Sequence, residues 1–421
     1  MPTLPALRMN LDFMPSPLAD RPGLLIRDPF RYTDTTLIVP PVLVRCLHLY
    51  DGQHSDLDVR EELARLTGEL AVSEVVSHLT DALSGAGFLQ DERGEQLREL
   101  RHGEFVEAEC RQATHAGSAY PDELEALRET MDRYMGVEPE GASTDSLVAI
   151  AAPHVSLEGG WRSYQAAYRA LAPSYRDRTF VILGTSHYGE PDQFGLTRKS
   201  FSTPIGTAIT DTRLVDRLAA SAPNAIIMED YCHSFEHSIE FQVIFLQHLF
   251  GADVKVVPIL CGSFGKSIQA RQLPEKDDRV RQFLDALGEM GSVEGGRLLW
   301  VLGVDMAHIG PRYGDEFSAA AREGKMLEVE QRDAQRIQQV NTGNAEGFWE
   351  LVSENQDDLK WCGSAPIYTF LRAVPDARGE LLHYDQWNID QQSVVTFAGI
   401  SFRRAESLPD TATRLPTGAA R

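Results

Sequence analysis

Ser146–His154 reads SLVAIAAPH, an unbroken apolar run that ends in proline and histidine. A strand with one face in water alternates apolar and polar residues, so a run with no polar position must be covered on both faces. Three further stretches have the same texture: TFVILG (Thr179–Gly184), VKVVPIL (Val254–Leu260) and RLLWVLGVD (Arg297–Asp305). Between them WRSYQAAYRALA (Trp161–Ala172), FQVIFLQHLF (Phe241–Phe250) and DRVRQFLDAL (Asp278–Leu287) carry a helical period. Buried strands alternating with helices specify an α/β domain with a largely parallel central sheet flanked by helices. Two later runs, GELLHYDQW (Gly379–Trp387) and SVVTFAGISF (Ser393–Phe402), are expected to close it at an edge.

Outward from this domain, 146–403, the texture changes. LLIRDPF and TTLIVPP are short apolar runs bounded by Asp and Pro, and VLVRCLHLYDG, DLDVREELARLTG and SEVVSHLTDALSGAGFL read as three short helices, two of them stopped by glycine. Residues 1–95 are therefore expected to form a small winged-helix-like module with an edge hairpin. The charge-rich 96–145 reads as a helical connector with a solvated face, and the Pro- and Thr-rich 404–421 as a flexible tail.

The 421 residues include 62 acidic against 40 basic side chains, a formal net charge of -22. Nucleic-acid binding draws on clustered Lys and Arg, so no such partner is expected. No apolar run reaches the roughly 20 residues of a membrane span, and the Pro-interrupted N-terminus lacks a signal peptide's apolar stretch. The five cysteines are scattered and form no C-x-x-C pair, which fits a reducing compartment. A cytoplasmic protein without a membrane partner is expected.

The buried strands share one ending. SLVAIAAP runs into His154, TFVILGTS into His187, and RLLWVLGVDMA through Asp305 to His308. Ligands in open α/β sheets bind beyond the carboxyl ends of the strands, so the three endings imply one pocket. Cys362 precedes a helical run with Ser364 as the expected N-cap; a thiol there faces the positive end of the helix dipole and favours thiolate. Histidines with a thiolate or carboxylate suit Fe(II), Zn(II) or copper, and an unligated histidine can move protons. His308 is the candidate for that task, held by Asp305 if the two groups approach.

HSFEHSIE (His233–Glu240) contains H-x-x-E-H, the inverted zinc-protease string. At helical spacing His233, Glu236, His237 and Glu240 would share one face. A protease would leave His154, His187 and His308 unexplained, so the segment is expected instead to open an amphipathic helix at the pocket mouth. Glu236, His237 and Glu240 would then contact substrate or support the ligands, with His233 a bystander.

These motifs, APH154, LGTSH187, TPIG206, EHSIEFQ242, VPIL260, D-x-x-H308-x-G-P-R312 and CG363-x-x-P-I367 followed by VVTFAGISF, resemble in order and spacing the Memo family, most closely its bacterial branch, AmmeMemoRadiSam system protein B. That family is similar in fold to the class III extradiol dioxygenases, which hold Fe(II) with two histidines and a glutamate. The resemblance implies His154, His187 and Cys362 as metal ligands and Asp305 and His308 at the pocket, with His308 as acid/base. Val155–Gly160, where the family commonly has Ala-Gly-Tyr and Tyr-Ser-Gly, and the Gly-Val before Asp305 depart from its pattern beside the implied ligands. The N-terminal module is weakly similar to PqqD-like peptide binders. The expectations are an Fe(II) centre, with copper or zinc as alternatives, and dioxygenase-like redox chemistry on a small molecule or modified peptide. The alternatives are a metal-sensing partner of a radical-SAM system without turnover, or a zinc hydrolase. Radical-SAM and AMMECR-type proteins and a second copy of the chain are the implied partners.

Overall fold

The computed structural model describes residues 3–136 and 147–405; the expected tail from residue 406 and the last part of the connector lie outside the described residues. The chain divides into two compact units, Met1–Glu109 and Cys110–Arg421.

In the first unit, strands Asp12–Pro15, Leu24–Arg27 and Leu37–Val39 form an antiparallel sheet in that order. The expected hairpin thus gains a third strand, DFMP, whose proline ends an edge where no ladder donor is needed. VLVRCLHLYDG is not one helix: Pro41–Val44 and a 3-10 turn, Leu47–Leu49, replace it. Cys46, Leu47, Leu49 and Tyr50 of this stretch are all buried. Helices Asp56–Thr67 and Ser73–Gly85 follow expectation, the first opened by a Ser55–Asp58 capping box and closed by Gly68 in the left-handed region (φ 75°). The charged Glu92–Glu107 is a helix of this same unit, which runs to Glu109.

In the second unit, strands β1 (Leu147–Ala152), β2 (Thr179–Thr185), β3 (Lys255–Cys261) and β4 (Leu298–Gly303) are the four apolar runs. β5 (Ala377–Asn388) and β6 (Val394–Arg404) follow. Their order across the sheet is β5-β6-β1-β4-β2-β3, with β1, β4, β2 and β3 parallel and β6 antiparallel to β1. The expected fold class is observed: a large, mostly parallel sheet flanked by helices in the second unit, and a small separate sheet in the first. Because β1, β4 and β2 are neighbours, about 4.8 Å apart, their carboxyl ends deliver His154, Asp305 and His187 to one place.

Helices α1 (Leu157–Tyr168), α2 (His237–Phe250) and α3 (Ser364–Ala373) frame that place. Leu183 and Leu302 point into the core shared with Ile367, Phe370 and Leu371 of α3. Gly184 and Gly303, paired across β2 and β4, face the other way and lie under the start of α2. Helix α2 is buried nearly all round, not amphipathic, because its N-terminal half is sewn to the strand ends: Ser238 Oγ donates to the Thr185 carbonyl (2.8 Å) and Gln242 Nε2 to the Pro153 carbonyl (2.8 Å).

A methyl group on Gly303 would sit 2.2 Å from the Ser238 carbonyl oxygen. Gly303→Ala is therefore expected to push α2 off the sheet and lower stability by about 1–3 kcal/mol, read as a shifted urea midpoint. An unchanged midpoint would show that the helix moves without cost.

Candidate metal centre

His154 follows β1 directly. Its backbone N–H donates to Asp305 Oδ1 (2.9 Å) and its Nδ1–H to the Gly303 carbonyl (2.9 Å), since a carbonyl can only accept. The bond leaves Nε2 as the free nitrogen, 3.3 Å from Cys362 Sγ and 3.6 Å from Asp305 Oδ2. The side chain is buried, and charge from Asp305 and Cys362 outweighs that burial to lift its pKa to about 9.

His187 follows β2. Its backbone N–H (3.0 Å) and Nδ1 (3.1 Å) both meet the Glu236 carboxylate. Glu236 caps α2, accepting from the N–H groups of His237 (2.9 Å) and Ser238 (3.3 Å), and lies 3.1 Å from His237 Nδ1. Burial works against its charge, but His187 and His237 hold the carboxyl well below its usual range. The same carboxylate lifts His187 well above the usual histidine range against the pull of burial, while burial lowers His237. One buried anion thus orients two imidazoles, which stack 5.1 Å apart at 10°.

The rings of His154 and His237 meet edge-on at 5.1 Å, and those of His154 and His187 at 5.0 Å. One nitrogen from each of the three histidines can be chosen so that all lie within 4.8 Å of one another. Cys362 stands beside them just before α3, whose N-cap is Gly363 in place of the expected Ser364. Its Sγ is also 3.7 Å from the Asp305 carbonyl. Burial raises the thiol's pKa, yet His154 and His308 together bring it well below the ordinary value. Gly363 fits because an added methyl would be 2.6 Å from the Asp305 carbonyl, which accepts the Gly363 N–H (3.0 Å).

His308 is not held by Asp305, as anticipated. Its Nδ1 faces the carbonyls of Met306 (2.9 Å) and Lys360 (3.1 Å), while Tyr313 packs edge-on against its ring at 4.9 Å. Asp305 instead serves His154. The one-face reading of HSFEHSIE also gives way: His233 lies in a 3-10 turn, Tyr231–Ser234, and Nε2 donates to the Gly195 carbonyl (3.0 Å), so the helix starts only at His237. Glu240 points away from the cluster, into a buried ion pair with Arg111 that Tyr120, Thr114 and His115 complete. The protease string has one member, His237, in the histidine cluster and Glu236 behind it.

The sequence assigns His237 a supporting or substrate-contacting role, whereas its ring lies in the cluster with His154 and His187. A carboxylate preceding it in the chain was the available signal, because Glu236 orients His187 and His237 alike.

Residues 111–401 match the family model described as Memo-like protein, more than half of the chain. The chain belongs to the Memo family. A Memo-family relative from Aquifex aeolicus (strain VF5), described as a MEMO1 family protein, is 26% identical over 383 residues, covering 90% of this chain and 95% of its own length. MEMO1 family proteins of Pyrococcus furiosus and Thermococcus kodakarensis are 29% and 28% identical, covering 70% and 69% of this chain and 99% and 98% of their own. An alignment over nine tenths of the chain must include most of the first unit, so the Aquifex relative shares more than the Memo domain. No helix among the described residues is long and apolar enough to cross a membrane.

Proposed function

We propose that this Memo protein binds a divalent transition metal, Fe(II) by its resemblance to the extradiol dioxygenases, and uses it in redox chemistry on a small molecule or modified peptide. The observation that carries the reading is the state of the three imidazoles: each has Nδ1 turned to a carbonyl or carboxylate, leaving Nε2 for a ligand. That is the outer support metal-ligating histidines ordinarily have. His154, His187 and His237 would supply neutral nitrogen, with Cys362 as thiolate or Asp305 Oδ2 adding the anion, a set that fits a borderline metal. When bound, such a metal supplies Lewis acidity and one-electron chemistry. His308 can hold or pass a proton at Nε2, because Nδ1 is committed to two carbonyls. His187 and His237 keep 27% and 33% of their side chains exposed, which leaves a side for substrate.

Elemental analysis of anaerobically purified protein tests this directly. About one iron per chain, lost in His154→Ala, His187→Ala and His237→Ala, is expected. Copper or zinc in its place would overturn the iron assignment, and full occupancy in all three variants would overturn the donor set.

A ligating imidazole must be neutral, so metal capture has to displace the protons on His154 and His187. Apparent affinity should therefore rise with pH above neutrality, His154 losing its proton at about 9 and His187 also above the usual histidine range, with protons released on binding. Titration in lightly buffered solution reads that release; binding without it would contradict the prediction.

A further inference from the structure

Asp333 is fully buried on the helix Lys325–Asn341, and none of the chemistry above uses it. It accepts three hydrogen bonds: Trp361 Nε1–H on Oδ1 (2.7 Å), and the hydroxyls of Tyr384 (2.8 Å) and Thr396 (2.6 Å) on Oδ2. Burial raises its pKa against these donors. Two of the three donors lead into the metal centre. Trp361 is the residue before Cys362. Thr396 Oγ1 in turn accepts the Ala307 N–H (2.8 Å), and the Thr396 backbone bonds Met306 (2.8 Å) and Ala307 (2.9 Å), the residues between Asp305 and His308.

From this arrangement we propose that Asp333 is a positioning residue for the second half of the site, fixing Cys362 through Trp361 and the Asp305–His308 segment through Thr396. The inference rests on the metal-binding reading. The site then has two buried anchors of one kind: Glu236 aims His187 and His237, and Asp333 sets Asp305, His308 and Cys362. An acceptor-only carboxylate is required. Asn has one acceptor oxygen: left on Tyr384 and Thr396 it sets the NH2 against the Trp361 N–H, and turned to Trp361 it sets the NH2 against both hydroxyls, so one arm of the network breaks either way. Thr396→Val tests the relay with Asp333 left intact, because it removes the acceptor of the Ala307 N–H at nearly constant volume.

The test uses the full chain and Co(II) as the probe. Its d–d absorption reports the ligand geometry and its near-ultraviolet sulfur-to-metal band reports Cys362. The wild type should show both. Asp333→Asn and Thr396→Val, at unchanged far-ultraviolet dichroism, should weaken the sulfur band and lower Co(II) affinity by about 10-fold. A sulfur band and affinity equal to wild type in Thr396→Val would overturn the proposal, even if Asp333→Asn does not fold. If the wild type itself shows no Co(II) spectrum, the metal-binding reading falls. The rate of Cys362 alkylation by iodoacetamide in metal-free protein, followed by mass spectrometry, then decides. A change of about 10-fold or more in Thr396→Val supports positioning through the network, and equal rates overturn it.

Discussion

Arg111→Met is expected to lower stability by about 3–5 kcal/mol, because it leaves a charged partner buried and unpaired. Arg111 is 1% exposed and Glu240 is wholly enclosed. Besides the ion pair, Nε donates to the His233 carbonyl (2.8 Å), Nη2 to the Glu236 carbonyl (2.9 Å) and Thr114 Oγ1 (3.1 Å), and Nη1 to the Gln112 carbonyl (2.7 Å). One guanidinium therefore clamps both ends of the turn that presents Glu236 and His237, and methionine replaces none of those donors. Burial pushes the Glu240 carboxyl up, but Arg111 draws it below the ordinary value. A depressed carboxyl contributes stability above its unfolded pKa, about 4.3, and that contribution fades as pH falls toward the folded value. In the variant Arg111's pull is gone and burial is opposed only by the bonds from Tyr120, Thr114 and His115, so the Glu240 carboxyl rises and the cost shrinks on acidification. Urea denaturation at pH 7 and near pH 4 should show a wide gap between wild type and variant closing to a narrow one. Equal gaps at both pH values would mean that Glu240 is not what Arg111 supports.

Glu236→Gln is the second. Its expected cost is about 10–100-fold in metal affinity, the usual range for an outer-shell carboxylate. Oε2 takes the His187 N–H, and Oε1 takes the N–H groups of His237 and Ser238, while Nδ1 of His187 lies 3.1 Å from each oxygen. Glutamine has one acceptor oxygen. Either orientation of its amide sets an NH2 against donors, so His187 or His237 must turn away or switch tautomer. Competition for the metal by a coloured chelator measures the effect, with Glu240→Gln as a comparison outside the cluster. Unaltered affinity in Glu236→Gln would show that the imidazoles are held by packing alone.

What could be read from the chain beforehand follows from range. The four inner strands were legible because burial on both faces leaves a mark on every residue of the run. The meeting of His154, His187 and Asp305 at their ends was legible because a strand end fixes where the next residue goes. HSFEHSIE misled because period alone cannot tell that Glu236 stops being helical to become a cap, nor that Glu240 would be claimed by Arg111, 129 residues earlier. Asp333 left no trace: an aspartate inside a charged helix looks like solvent-facing polarity until Trp361, Tyr384 and Thr396 close over it. DFMP went unassigned because a four-residue edge strand ending in proline has too short a pattern to register.

Helix α2 lying on Gly184 and Gly303, and the strand ends converging beneath it, carry a consequence for the order of events in the cell. His154 and Cys362 are 208 positions apart, and nothing local brings them together. Closing so long a loop is a late step in folding, after the inner strands have paired. A nascent chain cannot bring the thiol to the histidine cluster before Cys362 leaves the ribosome, so a chain cut short of it presents the imidazoles alone. Topology alone thus makes the meeting of thiol and imidazoles wait for the chain to reach residue 362.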